Sequence, residues 1–233
     1  MIANYYSKVE LRILFLAFAA LFAVLFAVSA AKGATSGRAD LSVVNPNSNV
    51  WKMQSSDGEG SFSAVEWGLP GDLRVPADYD GDGIKDIAVW RPSNGNWYIL
   101  RSSDGMIWQL RWGQTTPSRR GGIKDVPVPG DYDGDGIDDI AIWRPTEGRW
   151  YVLTSKTGFY PSSASISEWG KIGDVPVPAD YDGDGTTDFA TYRLGTWYIF
   201  DSGGPRLRSL RFGRDGEVPL NSLSVKPSIV AAN

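Results

Sequence analysis

The sequence predicts an all-β fold built from about four copies of one antiparallel unit. Each copy contains four short runs of β-branched and aromatic residues, and glycine-marked turns separate the runs. The copies recur at a period of roughly 50 residues, and three of them share an acidic loop. Four strands at this period are typical of the blades of a β-propeller, in which each sheet packs face to face on the next.

The N-terminus predicts an export signal over residues 1–30. An unbroken apolar run from Ile13 to Ala31 follows a positively charged segment and ends in small residues suited to signal peptidase, with cleavage after Ala30. The run also reaches the length of a membrane-spanning helix, so an uncleaved N-terminal anchor is the alternative. In either case the protein is predicted to be secreted or held at the cell surface, with residues 31–37 as a linker.

Residues 38–221 are predicted to form the propeller, and we name the strands of each unit a to d in chain order. Strand d ends in an aromatic-glycine pair in every copy. The aligned strands b begin at Asp40, Asp86, Asp139 and Asp188, and the aligned strands c carry Trp51, Trp97, Trp150 and Trp197.

Both ends of the repeat array depart from this pattern. The first copy has no strand a before Leu41, whereas Asp215 to Asn221 align with the strand a region from Asp72 to Asp78 but have no blade of their own. We therefore expect the C-terminal strand to complete the N-terminal blade and close the ring, which leaves no exposed sheet edge. The alternatives are an arc that completes a larger ring as a homo-oligomer, and an open stacked array. Residues 222–233 form a C-terminal tail.

Three nearly identical loops join strand a to strand b and predict calcium sites. They read DYDGDGIKD from Asp78, DYDGDGIDD from Asp131 and DYDGDGTTD from Asp180. Each has carboxylates at positions 1, 3, 5 and 9 and a glycine at position 6, which permits a sharp turn around a small hard cation. Such crowded carboxylates repel one another unless a cation lies among them.

The predicted ligands are oxygen atoms only, and the residue at position 7 contributes its backbone carbonyl. They are Asp78, Asp80, Asp82, Ile84, Asp86, Asp131, Asp133, Asp135, Ile137, Asp139, Asp180, Asp182, Asp184, Thr186 and Asp188. The loop differs from an EF-hand, because position 12 is Val89, Ile142 or Thr191 instead of glutamate, and the surrounding residues predict strands. About three Ca²⁺ ions per chain are expected.

The composition argues against several classes of function. The chain of 233 residues has 23 Lys and Arg, 27 Asp and Glu, no His and no Cys. The commonest general base, the thiolate nucleophile and the usual zinc ligands are therefore missing. The clustered Asp pairs that a glycoside hydrolase would need belong to the calcium loops, so we expect no enzyme activity. The sequence also contains no basic patch of the kind that is typical of nucleic-acid-binding proteins.

The repeats resemble the integrin-type FG-GAP repeats, also described as VCBS repeats in exported bacterial proteins. The resemblance rests on the aromatic-glycine pairs, on the motifs Gly-Asp-x-x-Val-Pro at Gly71 and Gly-Asp-Val-Pro-Val-Pro at Gly173, and on the acidic loops. It implies a calcium-bound β-propeller whose first copy keeps only Asp40 and binds no metal. Family members with more blades act as adhesion heads, as lectins and as modules attached to polysaccharide-active enzymes.

Two further sets of side chains are candidates for ligand binding. Arg91, Arg144 and Arg193 follow the aromatic residue of strand b and are predicted to bind an anionic ligand. The alternative is that each packs on a neighbouring aromatic ring or bonds a loop carbonyl. Trp108 breaks the repeat pattern and is the tryptophan expected to be displayed, whereas the repeated tryptophans are expected to pack between blades.

These predictions favour an exported, non-catalytic module that recognises an extracellular protein or glycan. A structural or assembly role in the cell envelope is the alternative, and a polysaccharide-active enzyme or its accessory domain is a further one. Contact with a membrane is expected only through an N-terminal anchor, and no contact with nucleic acid is expected.

Overall fold

The computed structural model describes residues 41–45, 48–54, 63–115, 125–204 and 206–219. The predicted signal or anchor, the linker, Asp40 of the first copy and the C-terminal tail lie outside these residues. Within the described part of the chain, no helix is long and apolar enough to cross a bilayer. All the described residues lie within the predicted repeat region, residues 38–221.

In the described residues, fifteen strands form four antiparallel sheets, which confirms the all-β prediction. Sheet I contains β1 (Leu41–Val44), β2 (Val50–Gln54) and β3 (Ser63–Glu66). Sheet II contains β4 (Leu73–Arg74), β5 (Ile87–Arg91), β6 (Asn96–Leu100) and β7 (Ile107–Arg111). Sheet III contains β8 (Val126–Pro127), β9 (Ile140–Arg144), β10 (Arg149–Leu153) and β11 (Ser165–Glu168). Sheet IV contains β12 (Val175–Pro176), β13 (Phe189–Arg193), β14 (Thr196–Phe200) and β15 (Leu207–Arg211).

The strands of each sheet pair in chain order, so neighbouring strands in a sheet are also neighbours in the sequence. Short 3-10 helices occur at Ser155–Thr157 and Pro161–Ser163. Sheet I has three described strands and the other sheets have four. The three strands correspond to strands b, c and d, so no strand a of sheet I lies among the described residues.

Strand a is an edge strand of only two residues in each complete sheet. Pro127 of β8 lies opposite Ile142, and the next residue, Val128, donates its N–H to the carbonyl of Ala141 at 2.8 Å. Because antiparallel hydrogen bonds alternate along a strand, the proline nitrogen points away from strand b and costs no ladder hydrogen bond. A short edge strand that contains proline also discourages pairing with a foreign strand.

Large aromatic side chains fill the spaces between successive sheets. Trp90, Trp97, Trp143 and Trp150 each have 0% exposure. Hydrophobic clusters join sheet I to sheet II, sheet II to sheet III and sheet III to sheet IV. Burying one large apolar side chain stabilises the fold by about 2–3 kcal/mol, so these inter-sheet faces form the hydrophobic core.

A chain of indole hydrogen bonds, here called the indole relay, connects the sheets. Within sheet II, Trp97 Nε1 donates to the carbonyl of Trp112 at 3.1 Å, and Trp112 Nε1 donates to the carbonyl of Tyr151 in sheet III at 3.3 Å. The equivalent contacts between other sheets are Trp67 to Tyr98 at 3.2 Å and Trp169 to Tyr198 at 3.1 Å. The relay explains why tryptophan stands both in strand c and before the glycine that follows strand d.

The outer face of sheet IV differs from the equivalent faces of the other sheets. Leu210 is 60% exposed and Phe212 is 74% exposed, whereas Leu110 and Trp112 of sheet II pack against sheet III. Phe212 also lacks the indole N–H that continues the relay. Within the described residues, 212–219 form no strand and β1 pairs only with β2. Ring closure by the C-terminal strand therefore stays a prediction.

The turn after Phe212 repeats the turn that precedes strand a in the other copies. The Arg214 N–H donates to Glu217 Oε2 at 2.9 Å, just as the Leu69 N–H donates to Asp72 Oδ2 at 2.8 Å. Glu217 therefore stands in the place of Asp72. The sequence alignment of Asp215 with Asp72 was wrong by two residues, because it matched the side-chain type instead of the turn geometry.

Candidate calcium-binding loops

Each acidic loop is closed at its base by pairing between strands a and b. The backbone N–H of each position-9 aspartate donates to the carbonyl oxygen of the residue before position 1. These pairs are Asp86 with Ala77 at 2.8 Å, Asp139 with Gly130 at 2.8 Å and Asp188 with Ala179 at 2.9 Å. The loops therefore connect two strands, in contrast to an EF-hand, which connects two helices.

The aspartate at position 1 shapes the turn from inside. Asp78 accepts the backbone N–H groups of Gly81 and Gly83, each at 2.7 Å. Both glycines have positive φ angles, 79° and 84°, which side chains with a Cβ rarely adopt. The Asp-x-x-Gly-x-Gly spacing therefore folds the loop back on its own first carboxylate.

Three carboxylates converge in each loop, from positions 1, 3 and 9. In each loop the three contribute oxygens that lie within 4.8 Å of one another, and the sets are Asp78, Asp80 and Asp86; Asp131, Asp133 and Asp139; and Asp180, Asp182 and Asp188. Calcium binds oxygen ligands at about 2.3–2.6 Å, so ligands on opposite sides of the ion are roughly 5 Å apart. The spacing of these oxygens therefore suits a calcium ion.

Two positive side chains of the described residues approach the converging carboxylates: Lys156 Nζ lies 3.3 Å from Asp133 Oδ1, and Arg208 Nη2 lies 3.9 Å from Asp188 Oδ2. Both side-chain oxygens of Asp133 are buried and accept no hydrogen bond among the described atoms. Burial raises the pKa of Asp86 and the pKa of Asp139 to about 7. A nearby cation favours the ionised carboxylate and removes the cost of burying it unpaired. These residues therefore fit the bound calcium that the repeats imply.

The position-5 aspartates lie outside the converging sets. Asp82 Oδ1 accepts the N–H of Ile84 at 2.8 Å, and Asp82 Oδ2 accepts the hydroxyl of Ser102 at 2.9 Å. The equivalent aspartates, Asp135 and Asp184, also accept hydrogen bonds from the position-7 N–H and from a serine hydroxyl. The ligand roles of positions 5 and 7 stay predictions.

A serine from the turn between strands c and d lies over each loop. Ser102, Ser155 and Ser202 donate their N–H groups to the position-9 aspartates of their own sheets, at 2.7, 2.8 and 2.7 Å. Sequence reasoning missed these residues, because serine is common in turns. The available signal was their identical place, two residues after strand c in every complete copy.

Backbone hydrogen bonds link the three loops in a row. The Asp138 N–H donates to the carbonyl of Asp78 at 2.7 Å, and the Asp78 N–H donates to Asp138 Oδ2 at 2.8 Å. The Thr187 N–H likewise donates to the carbonyl of Asp131 at 2.6 Å. The loops therefore lie side by side at one end of the sheets.

The three candidate arginines lie at the opposite end of strand b and contact residues of their own sheets. Arg91 Nε and Nη2 donate to the two carboxylate oxygens of Asp72, both at 2.9 Å, and its guanidinium carbon lies 4.3 Å from the ring centre of Tyr98. The equivalent groups are Arg144 with Asp125 and Tyr151, and Arg193 with Asp174 and Tyr198. These contacts favour the packing alternative, and a ligand role for the arginines stays a prediction.

Trp108 lies between two sheets. Its ring centre is 4.7 Å from that of Phe159 in the connection between β10 and β11, and the side chain is half-buried against the core shared by sheets II and III. This placement gives Trp108 a packing role, and its predicted contact with a ligand is untested.

The fold and the loops define a class of protein: an all-β chain of repeated antiparallel sheets with aspartate-rich loops suited to calcium. A family model described as FG-GAP-like repeat matches the chain twice, over residues 78–142 and 131–191. Residues 78–191 of the chain therefore carry FG-GAP-like repeats. Each match begins at position 1 of one loop and includes the whole of the next. A comparison with curated proteins finds no match to the chain.

Proposed function

We propose that the protein is an exported, calcium-binding β-propeller that recognises an extracellular protein or glycan and has no catalytic activity. The observation that supports it most directly is the row of three loops, each with three converging carboxylates. Export is supported by the N-terminal apolar run. Because the chain has no cysteine, calcium would take the place of disulfides as the stabiliser of the exported domain. Binding without catalysis is supported by the absence of histidine and cysteine and by the kind of repeat.

Calcium in these loops would supply positive charge and fix the geometry of several carboxylates. In sheet II, Ser102 contacts Asp82 and Asp86, so ordering the acidic loop also orders the turn between strands c and d. Two connections per sheet would then form a rigid surface at the calcium end of the molecule. We expect affinities on the order of 10⁻⁴ to 10⁻³ M, which suit the calcium concentration outside cells.

We further propose that the four sheets close into one ring, with sheet I covering the outer face of sheet IV. Three observations support closure: sheet I has no strand a among residues 41–219 as described, the turn at Glu217 is one that elsewhere precedes a strand a, and the outer face of sheet IV is apolar and exposed. A cavity of about 750 Å³ at this face is lined by Tyr192, Trp197 and Phe212 among others. A packed neighbouring sheet would fill that space.

The proposed function is tested by the binding of the purified protein to a broad panel of glycans and extracellular protein domains, with calcium present and with calcium chelated. We expect calcium-dependent binding, and we expect chelation to lower the melting temperature in the same samples. Self-association without any soluble ligand would instead support an assembly role. Release of soluble fragments from a polysaccharide would show an enzyme, and an unchanged melting temperature would refute the calcium assignment.

A further inference from the structure

The residue that follows the recurring serine differs in side-chain charge and size among the three turns that lie over the loops. The residue after the recurring serine is Ser103 in sheet II, Lys156 in sheet III and Gly203 in sheet IV. Ser103 Oγ donates to Asp80 Oδ2 at 2.6 Å. Lys156 Nζ donates to the backbone carbonyl of Asp133 and lies 3.3 Å from its Oδ1. At this position a hydroxyl, an ammonium group and no side chain therefore meet the three loops. The sheet IV loop also has a cation nearby, since Arg208 Nη2 lies 3.9 Å from Asp188 Oδ2, but this guanidinium is held by hydrogen bonds to Asp201.

We propose that Lys156 competes with calcium and makes the loop from Asp131 to Asp139 the weakest of the three calcium sites. This inference rests on the proposed calcium binding. The Lys156 ammonium contacts Asp133, which is one of the three residues whose carboxylates converge there. A calcium ion at that loop must displace the ammonium group or bind beside a like charge.

The cost of displacement is modest, because the Lys156 side chain is 54% exposed and can turn into solvent. Calcium must nevertheless break the ion pair between Lys156 and Asp133 before it binds. It is then still repelled by the nearby ammonium group. Together these effects correspond to a Kd for calcium that is roughly tenfold higher at this loop than at the other two loops.

The same contact has the opposite effect when calcium is absent. Neither side-chain oxygen of Asp133 accepts a hydrogen bond among the described atoms, so the ammonium group is the positive charge that offsets this buried carboxylate. The central loop therefore depends least on calcium for its shape. Because it is hydrogen-bonded to the loops on both sides, through Asp138 and Asp131, it also supports its neighbours before they bind calcium.

The test is a calcium titration of the full protein by calorimetry, in the wild type and in a reciprocal pair of variants. The wild type should show two tighter sites and one that is about tenfold weaker. Lys156→Ser should give three similar sites, and Ser103→Lys should create a second weak site. Lys156→Arg keeps the charge and should keep the weak site, whereas Asp133→Ala should remove it.

Melting temperatures measured in chelator provide the second readout. Lys156→Ser should lower the melting temperature without calcium while it strengthens calcium binding. A purely structural lysine would lower stability in both conditions and leave the affinities unchanged, and that result would overturn the inference. Three equal sites in the wild type would also overturn it, while calcium binding itself would stand. Failure of the wild type to bind any calcium would instead refute the proposed function.

Discussion

A single glycine at the end of strand d sets how closely two sheets approach. Gly170 has a φ of 108°, and a Cβ at this position would lie 2.8 Å from Thr191 Cγ2 in sheet IV. Gly170→Ala should therefore suffer both backbone strain and steric overlap, and we expect it to lower the free energy of unfolding by about 2–4 kcal/mol. Urea unfolding in the presence of calcium measures this loss.

Two further variants separate strain from overlap. Gly173 has a φ of 88°, but no atom lies within 4 Å of the position that a Cβ would occupy, so Gly173→Ala should cost only the strain, about 1–2 kcal/mol. Thr191→Ser removes the crowding methyl group and keeps the hydroxyl that donates to Asp174 at 3.0 Å. It should therefore restore part of the stability that Gly170→Ala loses. Equal losses in the two glycine variants, with no rescue, would show that the close approach is irrelevant.

Individual residues were predictable from the sequence where their partners are close along the chain. The aspartates of each acidic loop lie within nine consecutive residues, so their spacing alone indicates that their carboxylates converge. The contact between Ser102 and Asp86 joins residues 16 apart, and the pairing of Arg91 with Asp72 joins residues 19 apart. Both depend on how hairpins fold over one another, so the loop aspartates were identified and these partners were missed.

At the scale of elements, the indole relay should stabilise the packing of one sheet on the next. Trp112→Phe keeps an aromatic ring but removes the N–H that donates to the carbonyl of Tyr151. We expect a loss of about 1 kcal/mol in the free energy of unfolding, the usual net value of one hydrogen bond. Urea unfolding again provides the measurement.

The same hydrogen bond, from a tryptophan indole to a tyrosine carbonyl, recurs between two other pairs of sheets, so the prediction can be checked three times. Trp67→Phe and Trp169→Phe should each give a loss similar to that of Trp112→Phe. Trp112→Leu also removes the ring and should cost more than any of these. If only the leucine variant loses stability, ring size and not the hydrogen bond explains the tryptophan.

The strands themselves were predictable because the sequence repeats them. A pattern that is ambiguous in one copy became clear when the copies were aligned, and β1 and β2 in the atypical first copy were found in this way. The register of the last copy was not found, since Asp215 resembles Asp72 in side chain while Glu217 takes its place in the turn. Local hydrogen bonds decide such a register, and they are not visible in side-chain identity.

At the scale of the whole molecule, ring closure makes a specific prediction about which residues meet. In the complete sheets, the second residue of strand a lies opposite the third residue of strand b, and these pairs are Arg74 with Val89, Pro127 with Ile142 and Pro176 with Thr191. With Glu217 in the place of Asp72, the same register puts Pro219 opposite Val43. Val43 is 65% exposed in the described structure, so it is accessible to such a strand.

A pair of engineered cysteines tests this closure, because the chain has no cysteine of its own. Residues at non-hydrogen-bonded antiparallel positions have Cα atoms about 4.5 Å apart, which is within the range of a disulfide. Under mild oxidation, Val43→Cys combined with Pro219→Cys should form an intramolecular disulfide that raises stability by about 4 kcal/mol. The control pairs Val43→Cys with Val218→Cys, whose side chain would point to the other face of the sheet, and it should react more slowly.

Disulfide-linked dimers would show that sheet I of one copy covers sheet IV of another. Free thiols in both variants would contradict closure and favour an open array, because only pairing of the two chain ends brings these positions within bonding distance.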